Sequence, residues 1–256
     1  NEQSMVLDFA IVKKQIKAII DEAVDHKLLL PMKEPALTLQ TSLHHANHET
    51  IDFLTKRASY HLQSPQCAFA KIDCANITID SVTEHLTKII LAQLPNNVQG
   101  LSLVLRPENI TGDYYHYTHG LKLHDGNCQR IAHGHRSKIQ IFIDNQKNTE
   151  LEQQWCKRWQ DIYIASEADR VTKSDIELSS QAEQYLTPDH QFFSYQAPQG
   201  RFDIAVAANV LDVVDCDSTV ELLADFIARQ LKTDLANSTI KVIAYEGVAK
   251  GAIVSV

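Results

Sequence analysis

The feature that most constrains this chain is a repeat at a nearly fixed offset. Asp80-Ser81-x-x-Glu84 lies 137 positions before Asp217-Ser218-x-x-Glu221, and Glu108 lies 138 positions before Glu246. Asp25-His26 lies 136 positions before Asp161-Ile162, each pair at the end of a predicted helix. Three landmarks at one spacing read as two copies of one structural unit. With 256 residues there is length for one large core or two smaller ones. No Gly/Pro/Ser-rich linker parts the copies; the first passes into the second around 111–115, which predicts units of 1–112 and 113–256. The chain opens on Asn1 rather than Met, so the first unit is expected to lack its leading strands.

Periodicity fills in each unit. Phe9, Val12, Ile16, Ile19 and Ala23 recur at spacings of three and four, which predicts an amphipathic helix capped by Asp8. Weak alternation over 34–75 predicts short strands. A second helix opens at Asp80-Ser81 and runs to about Leu94, and a strand is expected over 101–105, ahead of Glu108. In the second half, Ile139, Ile141 and Ile143 share one face of a strand. Leu151, Trp155, Trp159 and Ile162 mark a helix, and a polar insertion covers 166–188. Apolar runs at 192–195 and 202–206 flank Gln199-Gly200 as a hairpin. A helix from Asp217-Ser218 to about Leu231 then precedes a strand ending at Glu246. The class is α+β.

The copies differ where the chemistry lies. His133 and His135, at i and i+2 of an extended segment, point to one face, and His119 reaches them from a neighbouring strand. Three neutral imidazoles without an obvious fourth ligand suit a catalytic zinc, although iron or nickel takes the same set. The intervening Gly134 leaves room for a ligand or a close backbone. His116 is out of register, and His124 belongs to a loop. Cys128, in the polar run Asp125-Gly-Asn-Cys-Gln-Arg130, is expected to be accessible, with Arg130 and a metal lowering its pKa. Asp25-His26 is either a helix-end imidazolium or a proton-transfer pair. Ser81 and Ser218 read first as capping boxes. Glu108 and Glu246, at strand ends, can each accept two parallel hydrogen bonds from an N–C–N edge such as a pterin presents.

A net charge of −8 argues against a nucleic-acid partner, and no apolar run approaches membrane-spanning length. The five cysteines are odd in number and lack paired metal spacing. They imply no disulfide framework and fit a cytoplasmic location.

Together these residues resemble the 6-pyruvoyl-tetrahydropterin synthase / 6-carboxytetrahydropterin synthase family, proteins of the tunnelling (T-) fold. Met5-Val6-Leu7-Asp8-Phe9, Asp25-His26, Thr83-Glu84 and Glu108 match the later part of the family pattern. Thr118-His119-Gly-Leu121, Cys128, His133-Gly-His135, Ser218-Thr219-x-Glu221 and Glu246 match its early part and its end. The resemblance implies two tandem T-fold units, each an antiparallel sheet with two helices packed on one face. It implies zinc on His119, His133 and His135, and proton transfer by Cys128, Asp25 and His26. Substrate binding would fall to Glu246, Glu108, Thr219, Glu221, Thr83 and Glu84. The implied reaction is a zinc-dependent lyase step on 7,8-dihydroneopterin triphosphate, toward queuosine or pterin; the alternative is a degenerate pterin-binding protein. Because T-fold units pair their strands with neighbours, a homo-oligomer is expected, as a trimer of tandem chains.

Overall fold

The computed structural model describes residues 8–247 and 249–256; Met5, Val6 and Leu7 of the family pattern lie outside the described residues. The chain begins with α1 (Phe9–Ala23), whose N-terminal amides are capped by the Asp8 carboxylate. It continues through β1 (Leu28–Pro31), β2 (Leu37–Thr41), β3 (His48–Leu54), β4 (Ser59–Pro65), β5 (Phe69–Ile72) and α2 (Ile79–Leu91). The second half runs β6 (Tyr114–His119), β7 (His133–Ile143), β8 (Gln146–Lys147), α3 (Thr149–Arg158), β9 (Ile162–Ser166) and β10 (Arg170–Val171). It ends with α4 (Ala182–Tyr185), β11 (His190–Ala197), β12 (Gly200–Ala207), β13 (Leu211–Val214), α5 (Val220–Asp234), β14 (Ile240–Tyr245) and β15 (Gly251–Ser255).

The fold is mixed α+β. One sheet has the order β13-β9-β6-β7-β14-β15, with β8 added to the end of β7. Helices α3 and α5 cover one face of it. Trp155, Trp159, Leu223, Phe226 and Ile227 pack there on Ile139, Ile141, Ile240 and Val242. The antiparallel sheet with two helices on one face thus describes the core of this half. The β9–β13 and β9–β6 pairs, however, run parallel. In the first half α1 and α2 pack on each other and on Leu101, Leu103 and Leu105. Residues 101–105 form no strand, contrary to the sequence reading, because no neighbouring strand offers them a hydrogen-bonding edge among the described residues.

A second sheet, β10-β11-β12-β4-β3-β2, takes strands from both halves. At its centre β12 runs antiparallel to β4, with Ile204 opposite Leu62. The strands predicted for 34–75 and the hairpin around Gly200 are therefore parts of one sheet. Short 3-10 turns follow both central strands, Gln66–Ala68 after β4 and Ala208–Val210 after β12. These turns lead into β5 and β13, which pair parallel with β1 and β9. Gln66 and Ala208 stand 142 positions apart.

Two of the sequence landmarks shift once the backbone is visible. Thr78 and Thr219 are the N-caps of α2 and α5, so the capping boxes expected at Ser81 and Ser218 are not formed as such. Ser81 instead completes a box begun by Thr78, three residues earlier. Likewise His26 and Asp161, at φ 53° and 54°, are the left-handed residues that end α1 and α3. In backbone conformation Asp161 thus corresponds to His26, not Asp25.

Among the described residues no helix is long and apolar enough to cross a membrane, and the five cysteines are unpaired.

Candidate active site

The β6–β7 ladder sets His119 directly opposite His133, and His135 follows on the same face of β7. The three rings converge, with centroids 4.3 Å apart for His119–His133, 5.0 Å for His119–His135 and 5.1 Å for His133–His135. One ligand nitrogen from each lies within 4.8 Å of the others. Gly134, between the two β7 histidines, admits the close approach of β6 rather than a ligand. A Cβ there would stand 3.3 Å from Thr118 Cγ2 and 3.4 Å from Tyr117 O.

The Nδ1 atoms of His119 and His133 are spoken for. His119 Nδ1 bonds Ser218 Oγ at 2.8 Å, and His133 Nδ1 faces Arg130 O at 3.3 Å. The Nε2 atoms of all three are buried without a hydrogen-bond partner. Orphaned, converging imidazole nitrogens are costly to bury unless something takes their lone pairs. This group of residues can hold a metal ion. Burial and the neighbouring imidazoles keep His119 well below its ordinary pKa and bring His133 down to about 3. Both are therefore in the neutral, ligating form at neutral pH. Ser218 was read as a cap; because Thr219 caps α5 instead, the Ser218 hydroxyl is free to orient His119.

The other half of the predicted site arrives from the end of α1. The His26 ring lies tilted 5.2 Å from that of His133, with its Nδ1 2.8 Å from Asp25 Oδ2. Its left-handed φ is uncommon for a residue with a Cβ, and such strain gathers at working sites. Burial pushes the Asp25 carboxyl up, but hydrogen bonds from His26 and Asn127 and the charges of His26 and Arg130 carry it below its usual value. Asn127 Nδ2 lies 3.4 Å from Asp25 Oδ2, and the Arg130 guanidinium donates to Asp25 O. The loop that carries Cys128 is thereby tied to Asp25.

Cys128 lies in a 3-10 turn, Gly126–Gln129, and is half-buried rather than accessible. Burial raises its thiol pKa, and the Glu246 and Asp25 carboxylates raise it further. The expectation that Arg130 lowers it is overturned, because that guanidinium is turned to the Asp25 main chain. Glu246 Oε1 lies 3.0 Å from His135 Nε2, off the line of a hydrogen bond. That imidazole holds the Glu246 carboxyl below the usual range, against the opposing push of burial. Glu108 stands close to the turn after β14: a Cβ on Gly247 would be 3.1 Å from Glu108 Oε1.

The remaining predicted residues lie in helix starts. Thr219 accepts from the Leu222 amide, and Glu221 is exposed in the first turn of α5. Thr83 donates to Ile79 O within α2, and Glu84 faces solvent. His116 and His124 stay outside the group, as their register and loop position predict. His116 bonds Asp161 at 3.2 Å.

The sheet with two helices on one face is consistent with a T-fold unit in the second half. Residues 110–255, more than half of the chain, match the family model described as 6-pyruvoyl tetrahydropterin synthase, and the chain belongs to that family. No curated protein and no solved structure matches it.

Proposed function

We propose that the protein is a zinc-dependent lyase acting on 7,8-dihydroneopterin triphosphate, built from two tandem T-fold units whose halves complete one site. The observation that carries this reading is the meeting of His26 with His133 across the chain, 5.2 Å apart. The second unit holds the three-histidine group and Cys128. Its own helix end carries Asp161-Ile162, so it lacks the Asp-His pair that proton transfer needs; the first unit provides Asp25-His26.

His119, His133 and His135 would hold the zinc, which when bound polarises the side-chain oxygens of the substrate and acidifies the adjacent C–H bonds. Asp25 accepts from His26 Nδ1, which leaves the Nε2 lone pair to take a proton. Cys128 serves as the second proton carrier as triphosphate leaves. Glu246 or Glu108 anchors the pterin ring through its N–C–N edge. Thr219, Glu221, Thr83 and Glu84 are the weaker part of the substrate set, since each is occupied by its helix or turned to solvent. The unpaired cysteines suit a reducing cytoplasm.

Incubation with 7,8-dihydroneopterin triphosphate, followed by product mass, tests the reading for wild type and Cys128→Ala. Wild type is expected to release triphosphate, and the mass tells the pyruvoyl product from the one that has also lost two carbons. His26→Ala should abolish turnover while leaving zinc bound; full activity in that variant would sink the two-half site. The raised thiol pKa of Cys128 favours a second reading, a pterin-binding protein without turnover, and binding with no triphosphate release would establish it. Open edges such as that of β15 should pair with other copies, and light scattering is expected to show an oligomer, a trimer in the simplest closure.

A further inference from the structure

The insertion after β9 and the β11–β12 hairpin carry none of the residues assigned to chemistry, yet they grip the loop that does. Tyr195, buried on β11, donates its hydroxyl to Gln129 O at 2.6 Å. Gln199, in the hairpin turn, donates Nε2 to Gly126 O at 2.9 Å and its main-chain N–H to Gln129 Oε1 at 3.4 Å. The two carbonyls so held flank Cys128 on either side. The Tyr195 ring is itself fixed, stacked 4.9 Å from Phe202 at an interplanar angle of 16°.

The loop is closed tightly onto that hydroxyl. At Gly120 a Cβ would overlap the Tyr195 oxygen and lie 3.1 Å from Arg130 O, so only glycine fits between them. On the other side Lys122 bonds Asp169 at 2.5 Å, from the 3-10 turn that follows β9. Within the loop, the Leu121 amide donates to Cys128 O at 3.0 Å. The clamp from β11 and its turn thus acts on the residues next to the thiol, alongside the ties of Asn127 and Arg130 to Asp25.

We propose that Tyr195 and Gln199 are positioning residues for Cys128, holding the carbonyls on either side of it so that the thiol stays at the junction of the two half-sites. This deepens, and in its kinetic part rests on, the reading of Cys128 as a proton carrier. It gives the hairpin, which the family pattern leaves without a role, a place in the chemistry.

The test is the full chain carrying Tyr195→Phe and Gln199→Ala, which keeps the ring packing but removes the two side-chain bonds to the Gln129 and Gly126 carbonyls. Timed alkylation with iodoacetamide, read by peptide mass, should show Cys128 labelled severalfold faster than in wild type. Exposed Cys67 and buried Cys156 should keep their wild-type rates. With 7,8-dihydroneopterin triphosphate, kcat should fall about tenfold with KM and bound zinc unchanged. Cys128 labelled at the wild-type rate would overturn the proposal, and so would a parallel rise at Cys156, which would signal general loosening. A wild type that releases no triphosphate defeats the enzyme reading instead, and the labelling still decides the clamp.

Discussion

At the scale of single residues, the histidine group shows how burial selects a protonation state. In the unfolded chain His119 and His133 take up protons near their ordinary value of 6.5, whereas folded His133 resists down to about 3. Between those values the unfolded state binds more protons than the native one, so stability is lost as pH falls. Urea midpoints of the metal-free protein should therefore drop steadily below about pH 6.5. His133→Ala should flatten that slope and, in the same protein, abolish stoichiometric zinc binding measured by native mass spectrometry. A midpoint that ignores pH in wild type would contradict the buried neutral pair. The convergence of the histidines was legible from the i, i+2 spacing of His133 and His135 because strand geometry is local. The roles of Ser218, Asn127 and Arg130 were not, because each depends on where a distant segment ends.

At the scale of elements, α3 and α5 owe their place to an aromatic cluster under the β13-β9-β6-β7-β14-β15 sheet. Trp159 is fully buried, meets Trp155 edge-on at 5.2 Å and stacks on Phe226 at 6.2 Å. Its Nε1 donates to Asp212 Oδ2 at 2.7 Å, which joins the helix end to β13. Trp159→Ala should cost about 3–5 kcal/mol in chemical denaturation, chiefly from lost packing, since Arg158 still pairs with Asp212. The period-four spacing of Leu151, Trp155 and Trp159 announced this helix; Ile162 did not belong to it, since Asp161 takes the left-handed turn and Ile162 starts β9. The strand expected over 101–105 failed for the converse reason. Alternation marks which residues can be buried, but a strand also needs a partner edge.

At the scale of the whole molecule, the central sheet makes the two halves one body. Leu62 and Ile204, opposite each other and nearly fully buried, lie on the seam between β4 and β12. Nearby, His61 bonds Asp52 Oδ1 and Glu177 O, both at 2.8 Å, and Ser179 and Tyr185 also donate to Asp52. This buried network straps 177–185 onto strands from the first half. Unfolding should accordingly be a single cooperative transition by calorimetry, and Leu62→Ala should lower its midpoint without splitting it. Two resolved transitions would show halves that fold separately.

The sequence by itself determined what local spacing can encode: the helices of α1, α3 and α5, the hairpin at Gly200, the three imidazoles on one ladder, and the near-constant spacing of three landmark pairs. Their register was blurred by a few residues because side-chain patterns tolerate shifts that caps and left-handed turns do not. Only the tertiary structure decided that β2, β3 and β4 share one sheet with the hairpin of β11 and β12, and that His26 comes into ring contact with His133. It alone turned Arg130 away from Cys128 and set Tyr195 and Gln199 against the Cys128 loop. These are contacts between residues roughly a hundred positions apart. They are fixed by strand pairing and packing rather than by any pattern along the chain.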